Sequence, residues 1–226
     1  MGGAGYKRVK SGRKAVARRA DLWFKVGKYI GNAMRLQSRP LRSLLFSPAS
    51  KPRVLDKVKP LTCDGVIVDL GDADIVHTVA GKSHANIKQG VTAILDAGAF
   101  PVVIGGDHSV NIPCIDAFAG RGDIHILQID AHLDFVDERH GVRYGHGNPL
   151  RRASEMKHVT GFTQLGIRFV SSSNRADYEA ARAAGSDILS VRDVRRLGTE
   201  GVLARVPKGK RYYCTIDIDG FDPSIA

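Results

Sequence analysis

The stretch Ile124–Asp134, which reads IHILQIDAHLD, decides the fold of this chain. Four of its first six residues are apolar, as expected of a strand that is mostly buried. Alternate side chains of an extended chain point to the same side, so Asp130, His132 and Asp134 are expected to face one way. Two carboxylates and an imidazole at the end of a buried strand indicate a metal site.

Short apolar runs alternate with amphipathic stretches on both sides of this strand. Further strands are predicted at Gly65–Leu70, Pro101–Ile104, Thr163–Ile167 and Arg211–Ile216. Helices are predicted from a cap at Ser83 to about Ala97, after a cap at Asn174, after the capping box at Ser190, and more weakly over His108–Phe118. This order predicts an α/β fold in which helices cover a mainly parallel sheet, with the ligand site beyond the carboxyl ends of the strands.

Two more strands end in the same kinds of residue. The run 211–216 leads into Asp217 and Asp219, and the run 101–104 leads through two glycines into Asp107 and His108. Buried carboxylates are very costly without cations, so their convergence at one sheet edge favours metal binding. The predicted metal ligands are His108, Asp130, His132, Asp134, Asp217 and Asp219. Asp107 is expected to form the turn or to support a ligand.

The ligand types indicate which metal is bound. Six side chains are too many for one tetrahedral ion, but they suit two ions about 3.5–4 Å apart that share a carboxylate. Oxygen donors predominate, which favours Mn²⁺, with Zn²⁺, Co²⁺ or Fe²⁺ as possible substitutes. We therefore predict two Mn²⁺ per subunit. His146 stands between two glycines, which leaves it little to pack against, and we predict a role in proton transfer.

The positive charge of the chain is concentrated at its start. The 226 residues carry a net charge of +11, yet residues 1–60 hold 16 Lys and Arg against two acids, and the remainder hold 18 against 21. We therefore divide the chain into a basic leader, 1–60, and a metal-binding domain, 61–226. The leader has three open interpretations: a solvated extension, an organelle transit segment, or an arm for nucleic acid or an anionic membrane.

Composition excludes several other classes of protein. There is no apolar run of the length that a membrane-spanning helix requires. The three cysteines lie far apart, which argues against a disulfide framework and a thiolate zinc site. We expect a cytoplasmic protein with neither a membrane nor a nucleic-acid partner, or a mitochondrial one if the leader is a transit segment.

Four motifs together resemble a known family. GGDHS, DAHLD, GHGNP and TIDIDGFDPS, in this order, are similar to the ureohydrolases, the family of agmatinase, arginase and guanidinobutyrase. The resemblance runs from about residue 62 to the end and includes QLGIR at Gln164–Arg168. It implies a three-layer α/β/α arginase-like fold, the same six metal ligands, His146 as a proton shuttle, and a trimer or hexamer.

The resemblance also implies an activity. It is the Mn-dependent hydrolysis of a guanidino compound to urea and an amine, with agmatine giving putrescine as the first candidate in polyamine metabolism. The text DERHGVRYGHGNPLRRA is closer to agmatinase and guanidinobutyrase than to arginase. Asp137 and Glu138 are either attractors of an ammonium tail or solvated loop charges. A guanidinobutyrase or another guanidino-acid hydrolase is the alternative, with Arg139, Arg143, Arg151 or Arg152 reading the carboxylate tail.

The sequence departs from the family pattern at both ends. It stops at Ala226, before the position at which the family carries a glutamate that holds the guanidinium. Residues 1–60 also lack a recognisable form of the family's first strand. These departures predict a domain that is truncated at its C-terminus, and they leave open a catalytically impaired metal-binding member of the family.

Overall fold

The computed structural model describes residues 44–48 and 65–221, with side chains from residue 69 onward except that of Val170. Most of the predicted leader, like the five residues after Phe221, lies outside the described residues. The chain divides into two compact units, one formed by Met1–Asp74 and Gly90–Val103, the other by Ile75–Gln89 and Ile104–Ala226. None of the described helices is long and apolar enough to cross a bilayer.

The first unit contains a two-stranded parallel sheet. Strand β1, Leu44–Pro48, pairs with β2, Gly65–Asp69, in a register that matches Leu44 with Gly65. The prediction of β2 is confirmed to within one residue. Strand β1 lies within residues 1–60, where no strand was predicted. Its SLLF run is too short to show the alternation that predicts a strand. The strand forms because its backbone groups pair with those of β2, about 20 residues later.

The second unit is built on a four-stranded parallel sheet. Its strands are β3 (Ile124–Ile129), β4 (Val159–Ile167), β5 (Ser186–Ser190) and β6 (Tyr212–Ile216), in the order β5-β4-β3-β6. Strand β3 buries Ile124, His125 and Ile126 in succession, so both of its faces are covered. The α/β fold with a parallel sheet and packed helices is therefore as predicted.

Five helices are described, of which the last three lie between these strands in the sequence. They are α1 (Ala80–Asp96), α2 (Asn111–Asp116), α3 (Pro149–Ser154), α4 (Arg175–Ala183) and α5 (Val191–Arg205). The cap at Asn174 and the capping box at Ser190 are confirmed, and in both the N-cap residue and its N3 aspartate bond reciprocally. Three short 3-10 turns, His108–Val110, Val170–Ser172 and Ile218–Gly220, complete the elements.

Several local predictions differ from the structure. The run Pro101–Ile104 is not a strand; its apolar side chains are exposed, Ile104 by 92%, and no described strand pairs with it. Ser83 does not cap α1 but lies inside it, where its hydroxyl bonds the backbone of Val76 at 2.9 and 3.1 Å. The helix predicted over His108–Phe118 is split into a 3-10 turn and α2. The short elements α3 and β5 were not predicted.

The core of the second unit anchors the segment after β3. Ala131, Leu133 and Phe135 are each fully buried, and the ring of Phe135 meets that of Phe162 edge-on with centroids 5.7 Å apart. Because the apolar residues of this segment point into the core, the intervening His132 and Asp134 are left for another surface. The apolar residues that alternate with the predicted ligands therefore anchor the backbone of this segment in the core.

Candidate metal centre

One group of possible metal ligands lies where β3 ends beside the turn that begins at His108. Nδ1 of His108 is 3.1 Å from Oδ2 of Asp130 and still closer to Oδ2 of Asp134. One ligand atom from each of these residues lies within 4.8 Å of the others. All three side chains are largely withdrawn from solvent, Asp130 to 1% exposure. Two carboxylates and an imidazole in this arrangement could hold a divalent cation.

A second group shares Asp130 with the first. Nδ1 of His132 lies 2.9 Å from Oδ2 of Asp219 and 3.6 Å from Oδ1 of Asp130. The ligand atoms of this group also fall within 4.8 Å of one another. Asp217, the remaining predicted ligand, lies beside the first group, with its Oδ2 3.7 Å from Nδ1 of His108. The structure thus brings all six predicted residues into one region, five of them in two groups joined by a carboxylate.

The electrostatics of the first group favour a positive charge. Burial alone lowers the pKa of His108, but the carboxylates of Asp130 and Asp134 outweigh burial and raise that pKa to about 10. Burial raises the pKa of Asp134, helped by the charge of Asp130, while His108 opposes the rise. Buried carboxylates that hold a proton on an imidazole create the negative potential that a divalent cation neutralises. The donor set therefore fits a metal.

Glycines and one strained residue allow these loops to meet. Gly106, at φ +77°, precedes the turn of His108, and a Cβ there would lie 2.5 Å from Val110. Asp107 forms this turn by accepting a hydrogen bond from the backbone N–H of Ser109 at 2.8 Å, one of the two roles expected of it. Asp134 adopts φ +54°, an uncommon conformation for a residue with a side chain and one often found at functional sites.

Arg168 holds the turn that carries Asp217 and Asp219. Its guanidinium donates to the backbone carbonyls of Asp219 and Phe221, the latter at 2.9 Å. Its backbone N–H donates to Ala131 at 2.9 Å, so one residue joins two ligand-bearing segments. The next side chain, Phe169, stacks on the ring of His132 with centroids 4.8 Å apart. Sequence analysis identified Arg168 only as part of the QLGIR motif and predicted no role for either Arg168 or Phe169.

The loop with His146 is fastened to the segment after Asp134. The N–H of Val136 donates to the carbonyl of Gly147 at 3.1 Å, and the amide of Asn148 donates to the carbonyl of Val136 at 2.7 Å. His146 itself is exposed to solvent and belongs to neither ligand group. An exposed imidazole on a loop fixed beside the ligands is placed to exchange protons with water.

The loop charges form a network in which arginines outnumber acids. Asp137 accepts a hydrogen bond from Arg152 and lies 3.1 Å from Nη2 of Arg143 and 3.9 Å from Nε of Arg151. These contacts, with the Arg152 bond first, lower the pKa of Asp137. Glu155 is the second carboxylate of the network, 2.9 Å from Arg152. Asp137 is therefore already paired, and Glu138 is exposed.

Comparisons with known proteins identify the family of this chain. The sequence profile of the Arginase family matches residues 35–226. The chain belongs to the arginase family. The chain is 30% identical to the mitochondrial guanidino acid hydrolase of Homo sapiens, over 71% of the chain and 47% of that protein. It is 31% identical to the agmatinase of Bacillus anthracis, over 70% of the chain and 53% of that protein.

Solved structures of the arginase family share the fold. Arginase from Medicago truncatula superposes with a TM-score of 0.64 at 23% identity, covering 95% of this chain and 77% of that one. The chain spans about half the length of the curated relatives it matches. The names of these arginase-family relatives give three different substrates, so membership of the family does not identify a substrate.

Proposed function

We propose that this arginase-family chain carries the centre of a binuclear manganese ureohydrolase, which converts a guanidino compound to urea and an amine. The carrying observation is the pair of ligand groups that share Asp130, because two neighbouring carboxylate-rich sites suit two cations. Mn²⁺ is proposed for its preference for oxygen donors. The predicted six residues would hold the two ions.

The chemistry divides between the metals and the side chains. When bound, the two cations supply Lewis-acid activation of water near neutral pH. Asp134 lies beside His108 in the first group, and its carboxylate is proposed to stabilise the tetrahedral intermediate that forms when water adds to the guanidinium carbon. The amine that leaves must be protonated, and His146, exposed on its fixed loop, is proposed to relay that proton from solvent.

The tail of the substrate has two candidates. Agmatine is the first candidate substrate on the evidence of the sequence, since an agmatinase is among the relatives that the chain matches. A guanidino acid is favoured by the loop network, in which Arg143, Arg151 and Arg152 face only two carboxylates and leave an excess positive charge. The side chain of Arg152 is 2% exposed, and its Nε and Nη1 have no hydrogen-bond partner among the described residues.

Urea release after Mn²⁺ reconstitution tests the activity. The chain would be assayed with agmatine and 4-guanidinobutyrate in parallel, beside His146→Ala as the proton-relay variant. Urea from either compound, and a drop in kcat of about 10²-fold or more in the variant, is the expected result. Urea release unaffected by His146→Ala would remove the relay. Two bound metals without urea from any guanidino compound would instead support a catalytically impaired member.

A charge variant separates the two tails. Arg143→Gln removes an exposed guanidinium of the loop network and leaves the predicted metal ligands intact. If the network reads a carboxylate, the variant loses kcat/KM for 4-guanidinobutyrate and not for agmatine. A preference for agmatine that is unchanged in the variant would exclude the hypothesis that the arginine network binds a carboxylate tail.

Assembly and compartment are proposed from the family alone. We propose a homotrimer or homohexamer in the cytoplasm, with the mitochondrion as the alternative if residues 1–60 act as a transit segment. Mass determination in solution and localisation of the tagged chain with and without residues 1–60 would test these two proposals.

A further inference from the structure

A row of buried polar side chains crosses the four-stranded sheet directly beneath the metal centre. Gln128 on β3 is opposite Gln164 on β4 and Thr215 on β6. Ser186 on β5 pairs two residues before Gln164, so all four side chains lie on one face. Gln128 and Gln164 are completely buried and Thr215 nearly so. Apolar residues would fill these positions at less cost, so the row calls for an explanation.

The hydrogen bonds of the row point in one direction. Oγ of Ser186 donates to Oε1 of Gln164 at 2.6 Å, and Nε2 of Gln164 donates to Oε1 of Gln128 at 2.5 Å and to the carbonyl of Leu133 at 2.8 Å. Nε2 of Gln128 then donates to Oδ2 of Asp130 at 2.7 Å. Both amides have their oxygen and nitrogen engaged, which fixes their orientation. The chain therefore ends by presenting a donor to a carboxylate.

The second end of the row acts on the other ligand of the same group. Oγ1 of Thr215 lies 2.9 Å from Nε2 of His108. A hydroxyl oxygen there can accept the Nε2–H, which leaves Nδ1, facing Asp130 and Asp134, as the nitrogen whose proton a metal would displace. Gln128 and Thr215 each stand two residues before a predicted ligand on their own strand.

We propose that Gln128 and Thr215 are positioning residues that aim Asp130 and His108 at the metals. The inference rests on the proposed metal centre and adds residues that do not themselves bind the ions. Asp130 is shared by both ligand groups, so Gln128 governs both sites. His108 belongs to one group, so Thr215 governs one site. A purely structural row would instead affect folding and leave metal affinity alone.

The test compares Gln128→Met and Thr215→Val in the full chain with two controls. Thr215→Ser keeps the hydroxyl. Thr163→Val removes a buried hydroxyl of the same sheet that bonds His125 at 2.9 Å and contacts none of the predicted ligands. Mn²⁺ affinity is measured by competition with a chelator, Co²⁺ absorption reports the ligand field, and the thermal midpoint in EDTA reports folding.

We expect Gln128→Met to weaken both sites by roughly 10- to 100-fold and Thr215→Val to weaken one, with an altered Co²⁺ spectrum in each. Thr215→Ser retains the affinity, and Thr163→Val changes only the midpoint. Unchanged metal affinity in Gln128→Met and Thr215→Val would overturn the proposal, as would an equal loss in Thr163→Val. If Gln128→Met does not fold, the Val and Ser variants of Thr215 decide. An unsubstituted chain that binds no metal would overturn the proposed function and this inference with it.

Discussion

At the residue scale, Gly220 allows the turn with Asp217 and Asp219 to approach the end of β3. A Cβ at this position would lie 2.9 Å from the backbone nitrogen of Asp130 and the carbonyl carbon of Ile129. Both are backbone atoms, so they cannot move without displacing the predicted ligands.

We therefore expect Gly220→Ala to lower Mn²⁺ affinity roughly 10-fold or more, measured by chelator competition. Gly90→Ala is the matched control, because nothing lies within 4 Å of a Cβ there and the residue is in the middle of α1. The control should bind Mn²⁺ normally and gain about 0.5–1 kcal/mol of stability. Equal affinity in the two variants would contradict the close approach.

The described cysteines should differ in reactivity. Burial raises the pKa of Cys114 to about 11, although a hydrogen bond with Tyr213 opposes the rise. Partial burial also raises the pKa of Cys214, but its side chain is exposed to reagents whereas that of Cys114 is buried. Only the thiolate reacts, and a raised pKa keeps the thiol protonated until the pH approaches that value. Iodoacetamide at pH 8 should therefore label Cys214 and spare Cys114, as peptide mass spectrometry would show. Comparable labelling of both would mean that Cys114 is neither buried nor protonated.

At the scale of elements, Arg168 joins the end of β4 to the turn after β6. Replacing it by Met removes the donors to the carbonyls of Asp219 and Phe221. We expect Arg168→Met to cost about 1.5–3 kcal/mol in the free energy of unfolding, measured by denaturant titration, and to weaken metal binding as well.

Arg175→Met provides the matched control for that prediction. Its side chain is 92% exposed, and its ion pair with Glu179 lies on the surface of α4. Surface pairs of this kind contribute roughly 0–1 kcal/mol, so the control should lose little stability and no metal affinity. A loss in the control as large as in Arg168→Met would argue against a specific bridge.

At the scale of the whole molecule, the metals should contribute to folding. Asp130 and Asp134 are buried as carboxylates, and cations that neutralise them bind the folded chain in preference to the unfolded one. Mn²⁺ at 100 times its Kd should add about 2.7 kcal/mol of stability for each occupied site, seen as a rise in thermal midpoint that EDTA reverses. Asp130→Asn, which changes the ligand shared by both groups, should abolish the rise. A rise of the same size in that variant would place the metal elsewhere.

The predictable part of the fold is the part encoded in local sequence. The run of β3 gave the strand bounds to the residue, and the cap at Asn174 and the capping box at Ser190 were found because the residues that form them are close in sequence. Strand β1 and the run Pro101–Ile104 were misjudged, because strand formation depends on a backbone partner that is distant in the sequence.

The sequence by itself determined the α/β class and the spacing-two ligand pattern, since both follow from which way successive side chains of a strand point. Tertiary structure decided which residues support that pattern. Only the register between β3, β4 and β6 places Gln164 and Thr215 opposite Gln128, and only loop packing pairs Asp137 with Arg152. Such contacts join residues 15 to 107 positions apart, and no local periodicity carries that information.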